Sequence, residues 1–107
     1  MNGSLFGIKV ARQPGTWIVS LSGDLDYAAS IELVPKLVDI TDQCDADLHF
    51  DLSRVTLIDS EGVKALLSAQ ARMLDKNSRV RVINCSLAAR RVLQLVGVDE
   101  MLGIRAG

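Results

Sequence analysis

One short run in this chain has the residue types to do chemistry: Asp51-Leu52-Ser53-Arg54-Val55-Thr56-Leu57-Ile58-Asp59-Ser60-Glu61-Gly62-Val63. It sets a hydroxyl, Ser60, between two carboxylates, where an apolar segment gives way to a helical pattern. On physical grounds alone Asp59 and Ser60 are helix-capping residues, and Gly62 lets another backbone come close. Nucleophilic or acid–base catalysis needs converging groups, and the sequence offers none to Ser60. The single histidine, His49, lies in the middle of an expected strand. No GxSxG, HExxH, GxGxxG or P-loop is present. Cys44 and Cys85 form no CxxC, and no spacing of Asp, Cys and His suits a metal. The expectation is a binding protein and not an enzyme, with no catalytic residues, metal or cofactor.

Around that run the chain must supply a scaffold. Phe6 to Arg12 alternates apolar and polar residues, which predicts a half-buried strand. Pro14-Gly15 is a turn dipeptide, and the β-branched and aromatic run Thr16 to Ser22 completes a hairpin ended by Gly23. Ala28 to Gln43 carries Ala29, Leu33, Leu37 and Ile40 at helical spacing. Pro35 interrupts it. A proline inside a helix loses a hydrogen bond and crowds the preceding turn at a cost of about 3 kcal/mol or more. Either the helix kinks there or its regular part begins close to Pro35. Asp47 to Leu52 reads as a short strand, and Arg54 to Ile58 as extended chain or loop. A second helix begins near Ser60, with Val63, Leu67, Gln70, Ala71 and Leu74 along one stripe. Lys76-Asn77-Ser78 is a turn, and Arg79 to Asn84 alternates strictly, as a strand does. Ser86 is a good N-cap for a third helix over Leu87 to Val96, with Gly97 stopping it. Met101 to Arg105 suits a short last strand or helix. Strands alternating with helices after residue 27 imply an α/β fold with parallel pairing and crossover helices.

Composition narrows the function. A length of 107 residues fits one domain, residues 1–107. Hydrophobic residues make up 49 % and aromatics only 4 %, so the core must be aliphatic. A net charge of −1 leaves no basic excess for a nucleic-acid backbone. Acids crowd the stretch from Asp24 to Glu61, and basic residues dominate after Gly62. This pattern is either two solvated faces or an acidic patch that docks a basic partner. No stretch is long and apolar enough to span a bilayer, and Met1 to Phe6 lack the pattern of a signal peptide. A cytoplasmic protein with reduced thiols is expected. Its amphipathic helices suit a monomer when free.

The Asp51–Val63 run resembles the signature of the STAS domain, the sulfate-transporter and anti-sigma-factor-antagonist family, in the form D-L-S/x-x-V-x-x-x-D-S-[ST]-G-[LV]. Ser22-Gly23-Asp24-Leu25-Asp26 is similar to the family's G-[DE]-[LIV]-D after the second strand. Arg91-Val92-Leu93-Gln94-Leu95-Val96-Gly97-Val98 is similar to its R-[VL]-[LF]-x-[LI]-x-G-[LV]. The three occur in the right order over nearly the whole chain. The resemblance implies a mixed sheet of four to five strands with an N-terminal hairpin. Three to four helices would pack mainly on one face. A domain of this size looks like a bacterial anti-sigma factor antagonist.

That resemblance implies roles residue by residue. Ser60, directly after the motif aspartate, would be the phosphoacceptor. Asp24, Asp26, Asp59, Ser60, Glu61, Gly62 and Lys64 would form the partner-binding surface. The partner would be an anti-sigma factor, a serine kinase of the histidine-kinase-like ATPase fold, captured only by the unphosphorylated form; a phosphatase would reset the switch. Neither direct nucleic-acid contact nor membrane insertion is implied. The chain departs from the pattern at Glu61, where the family carries Ser or Thr, which adds a fixed carboxylate beside Ser60. Pro35 is a second departure. The competing role is a STAS subunit that grips the ATPase of a lipid ABC transporter through the same surface, without phosphorylation.

Overall fold

Strands and helices alternate in a computed structural model that describes residues 5–104. In chain order they are β1 (Gly7–Gln13), β2 (Thr16–Leu25), α1 (Tyr27–Gln43), β3 (Asp47–Ile58), α2 (Ser60–Leu74), β4 (Val80–Cys85) and α3 (Leu87–Leu95). The sheet runs β1-β2-β3-β4. β1 and β2 are antiparallel, joined at Pro14-Gly15, where Gly15 takes φ +82°. β2 pairs with β3 in parallel, and β3 with β4. Parallel neighbours need a crossover, and α1 and α2 supply the two. Their shared hand places both on one face of the sheet, where they touch: Arg72 on α2 donates to the Thr41 hydroxyl at 2.9 Å and to the Asp42 carboxylate at 2.5 Å. The expected mixed α/β sheet is therefore present, with four strands and three helices among the described residues.

Alternation decides what is buried. On β2, Trp17, Val19, Leu21 and Leu25 point beneath the helices, as do Leu48, Phe50 and Leu52 on β3. They meet Leu33 and Leu37 of α1 and Val63, Leu66, Ala69 and Met73 of α2 in one aliphatic core. α3 adds Ala89 and Leu93 to it.

Four expectations need correction. β3 does not end at Leu52; it continues through Arg54–Ile58 as one strand. Register shifts against β2 fall between Ser20 and Ser22 and between Gly23 and Asp24, each leaving an extra residue on β3. Past Leu52 its buried residues are therefore Val55 and Ile58, spaced by three and not by two. The stripe on α2 is rotated: Ala71 and Leu74 are exposed, and Leu66, Ala69 and Met73 take the core positions beside Val63 and Gln70. α1 is a single helix from Tyr27 to Gln43 with Pro35 inside it, so its regular part does not start at the proline. Pro35 is exposed, so the turn it crowds lies on the solvent side. Met101 to Gly103 is a turn and not a strand or helix, fastened to β4 by the Val82 amide donating to the Leu102 carbonyl at 2.7 Å. Arg105 lies outside the described residues.

The C-terminus of α1 has no basic residue of its own. Lys76, just past α2, closes it by donating to the carbonyls of Thr41 at 2.7 Å and Cys44 at 2.6 Å. Among the described residues no helix is long and apolar enough to cross a membrane.

Candidate partner-docking site at the helix N-termini

The site is built where β2 and β3 run out together. Leu25 pairs with Ile58, and the next residue on each strand caps a helix. Asp26 caps α1, its carboxylate accepting from the Ala29 amide at 2.9 Å. Asp59 caps α2, accepting from the amides of Glu61 at 2.9 Å and Gly62 at 3.2 Å. Both caps have extended backbone and short acceptor side chains, as a helix N-terminus requires. One backbone bond ties the two corners: the Asp59 amide donates to the Leu25 carbonyl at 3.2 Å.

Gly62 explains how they come so close. A Cβ built there would lie 2.4 Å from the Leu25 carbonyl oxygen and 2.8 Å from Ile58 Cγ1. The close backbone approach expected at this glycine is a feature of the fold. Gly23 has the same role on the neighbouring strand, with φ +81° and a built Cβ only 2.1 Å from the Leu5 carbonyl oxygen.

The residues named from the sequence are distributed as follows. Asp24, Asp26, Asp59, Ser60, Glu61 and Gly62 come together at this corner, and Lys64 stands one turn into α2. Ser60 is the first residue of α2 and is exposed. Glu61 pairs with Lys64 at 3.3 Å. Asp24 accepts from the Thr56 hydroxyl at 2.5 Å. Thr56 was not legible as part of the site, because the shifted register that sets it beside Asp24 leaves no mark in the residue pattern.

Not every acid from Asp24 to Glu61 joins this corner. Asp42, Asp45 and Asp47 fall at the opposite end of the strands, since α1 carries the chain from the end of β2 back to the start of β3. Asp51 sits beside the bulge of β3. Burial pushes its carboxyl up, but the Ser53 hydroxyl and amide, Asn84 and Arg54 outweigh this and hold it below the ordinary range. Burial raises both thiols, Cys44 and Cys85. Cys44 caps α1 just before the start of β3, and Cys85 ends β4, where it pairs with Leu52; both are free. His49 faces away from the helices, at the β3–β4 register position of Arg81. Among the described residues no group of three or more His, Cys, Asp or Glu could hold a metal ion.

This combination, a mixed sheet whose second and third strands each deliver a capped helix at one corner, defines a STAS-type domain. The family model described as Mlab, STAS domain matches residues 8–103, and the chain belongs to that family. It is similar to the anti-sigma-F factor antagonist RsfB of Mycobacterium tuberculosis, with 25 % identity over 93 residues, covering 87 % of this chain and 75 % of that protein. In structure it is similar to an anti-sigma factor antagonist from Mycobacterium paratuberculosis, at TM-score 0.82 and 26 % identity over 92 % of this chain and 83 % of that one. The unphosphorylated form of the antagonist SpoIIAA shares the fold at TM-score 0.72 and 22 % identity, over 95 % of this chain and 100 % of that one.

Proposed function

We propose that this protein is an anti-sigma factor antagonist whose docking surface is the α1/α2 corner and whose switch is phosphorylation of Ser60. The observation that carries the reading is the exposure of the Ser60 hydroxyl at the first position of α2, beside Asp59. The relatives supply the context, since proteins that share 25 % and 26 % of its residues over most of its length carry the name anti-sigma factor antagonist. In this reading the partner is an anti-sigma factor with serine-kinase activity. The unphosphorylated chain captures it, the phosphorylated chain does not, and a phosphatase restores binding. The protein works by occupancy and carries out no catalysis of its own.

Phosphoserine brings about −1.5 to −2 charges at pH 7. At the N-terminus of α2 the helix dipole favours that charge by roughly 0.3–1 kcal/mol, so the domain need not unfold. The effect falls on the interface, where every 1.4 kcal/mol is about tenfold in affinity.

The test is intact mass after incubation with candidate anti-sigma kinases and ATP, with Ser60→Ala as control. One added phosphate that disappears in the control is expected. Ser60→Asp should stay folded and lose the kinase, while Ser60→Ala should still bind it. No phosphate with binding retained would replace this reading with a constitutive one, in which the same corner grips a transporter ATPase.

A further inference from the structure

We infer that an apolar row on α1, open beside Ser60, is the anchor that seats the partner, and that it sets affinity separately from the phosphorylation switch. This rests on the partner proposed above and goes further by naming the chemistry of its contact surface.

Tyr27, Ile31, Val34, Val38 and Thr41 follow one another at alternating steps of four and three residues, so they form a single row along α1. The row changes character along its length. At its C-terminal end Thr41 is buried and Val38 half-buried, because Arg72 of α2 reaches across to the Thr41 hydroxyl at 2.9 Å. Towards the N-terminus cover is lost: Val34 is 43 % exposed, Ile31 62 % and Tyr27 65 %. The reason lies on α2. One turn before Arg72 stands Ser68, too short to reach across. One turn earlier stands Lys64, which is turned to Glu61.

α1 and α2 run the same way and rise equally per residue. With Thr41 level with Arg72, Ile31 is level with Gly62. The open end of the row therefore lies alongside Ser60 and is continuous with the proposed docking corner.

The charge around it chooses the occupant. Asp26 caps α1 itself, and Asp59 and Glu61 stand at the start of α2 beside it. A second copy of this chain would meet the row in a two-fold contact and bring those acids against their own copies. A different protein with an apolar ridge flanked by basic residues meets the same acids with attraction instead of repulsion.

The experiment uses the full chain and the kinase that transfers phosphate to Ser60. Binding of wild type, Ile31→Ser and Tyr27→Ser is measured by calorimetry, with Leu95→Ser as control; Leu95 is 85 % exposed on α3, away from the row. Circular dichroism checks that each variant is folded. We expect Ile31→Ser to weaken binding at least tenfold and Tyr27→Ser to weaken it several-fold. Leu95→Ser should leave it unchanged. Unphosphorylated wild type should be a monomer. Equal affinity for wild type and Ile31→Ser overturns the anchor and leaves the switch standing. A wild-type dimer broken by Ile31→Ser overturns it in favour of self-association. If no kinase binds or modifies the wild type, the proposed function fails first and the anchor with it.

Discussion

Replacing Gly62 by alanine tests the corner most directly. The new methyl carbon would lie 2.4 Å from the Leu25 carbonyl oxygen, 2.8 Å from Ile58 Cγ1 and 3.0 Å from Leu25 Cβ. Ordinary carbon contacts fall near 3.5–4.0 Å, so an overlap of about an ångström must be relieved. The nearest neighbour is backbone and cannot swing aside. It is also the acceptor for the Asp59 amide at 3.2 Å, so relief pulls on the bond that joins the two helix corners. Overpacking of this kind costs about 1–3 kcal/mol. Against it stands the helix preference of alanine over glycine, about 1 kcal/mol. The net expectation is a loss of about 1 kcal/mol, or a fall in Tm of roughly 4–8 °C for a domain of this size. Urea unfolding followed by circular dichroism gives the number, with Ser68→Ala as an unhindered control on the same helix. If Gly62→Ala proved as stable as wild type or more so, ordinary helix propensity would rule here and the close-approach argument would be wrong.

Two further outcomes follow from the same corner and its neighbour. Asp59→Ala removes the acceptor for two amides and should cost about 0.5–2 kcal/mol in urea unfolding; Asp26→Ala, which frees one, should cost less. The Asp51 carboxyl titrates below its ordinary range in the folded chain. Its contribution to stability is therefore present above the ordinary carboxylate value and is lost as pH falls through the folded value, below about pH 4. Asp51→Asn should flatten that acid limb in a pH series of unfolding curves, and an unchanged limb would refute the assignment.

How much of this was legible in advance depends on which physical rule each segment obeys. β1, α1, β4 and α3 follow a single period each, and their expected bounds lie within a residue or two of those observed; β2 passes through Gly23, expected to end it, and runs on to Leu25. β3 obeys two. As far as Leu52 it alternates, but beyond it the bulges against β2 bury Val55 and Ile58 at a spacing of three. That pattern belongs to neither a plain strand nor a helix, and so it resembles a loop. The rotated stripe on α2 has a different cause. The core side of that helix is filled by Val63, Leu66 and Met73 with Ala65 and Ala69 between them, while Leu67 is only half-buried and Leu74 is exposed. Large apolar residues occur on both stripes, and the small Ala65 and Ala69 that mark the buried one carry little weight in a count of hydrophobic positions. At the site, the carboxylates, Ser60 and Gly62 were evident from their types. The Leu25 carbonyl and Thr56 were not, because they are set by register between strands, which no local pattern encodes.

The departure at Glu61 illustrates why register and charge have to be considered together. A carboxylate beside Ser60 would repel an incoming phosphate, and alone it would argue against the proposed switch. In the folded chain Glu61 lies one turn from Lys64 and pairs with it at 3.3 Å. The pair is well exposed, so its own contribution to stability is small, but it turns the Glu61 charge along the helix and meets it with a cation. Asp59 directs an oxygen inward to two amides. The negative charge nearest the Ser60 hydroxyl is thus partly engaged on both sides before any phosphate arrives. Without Lys64 this compensation ends: in Lys64→Ala the free Glu61 would stand against the same phosphate. Phosphoryl transfer to Ser60 should then slow while the fold is retained, and more so at low salt, where exposed charges act over longer distances.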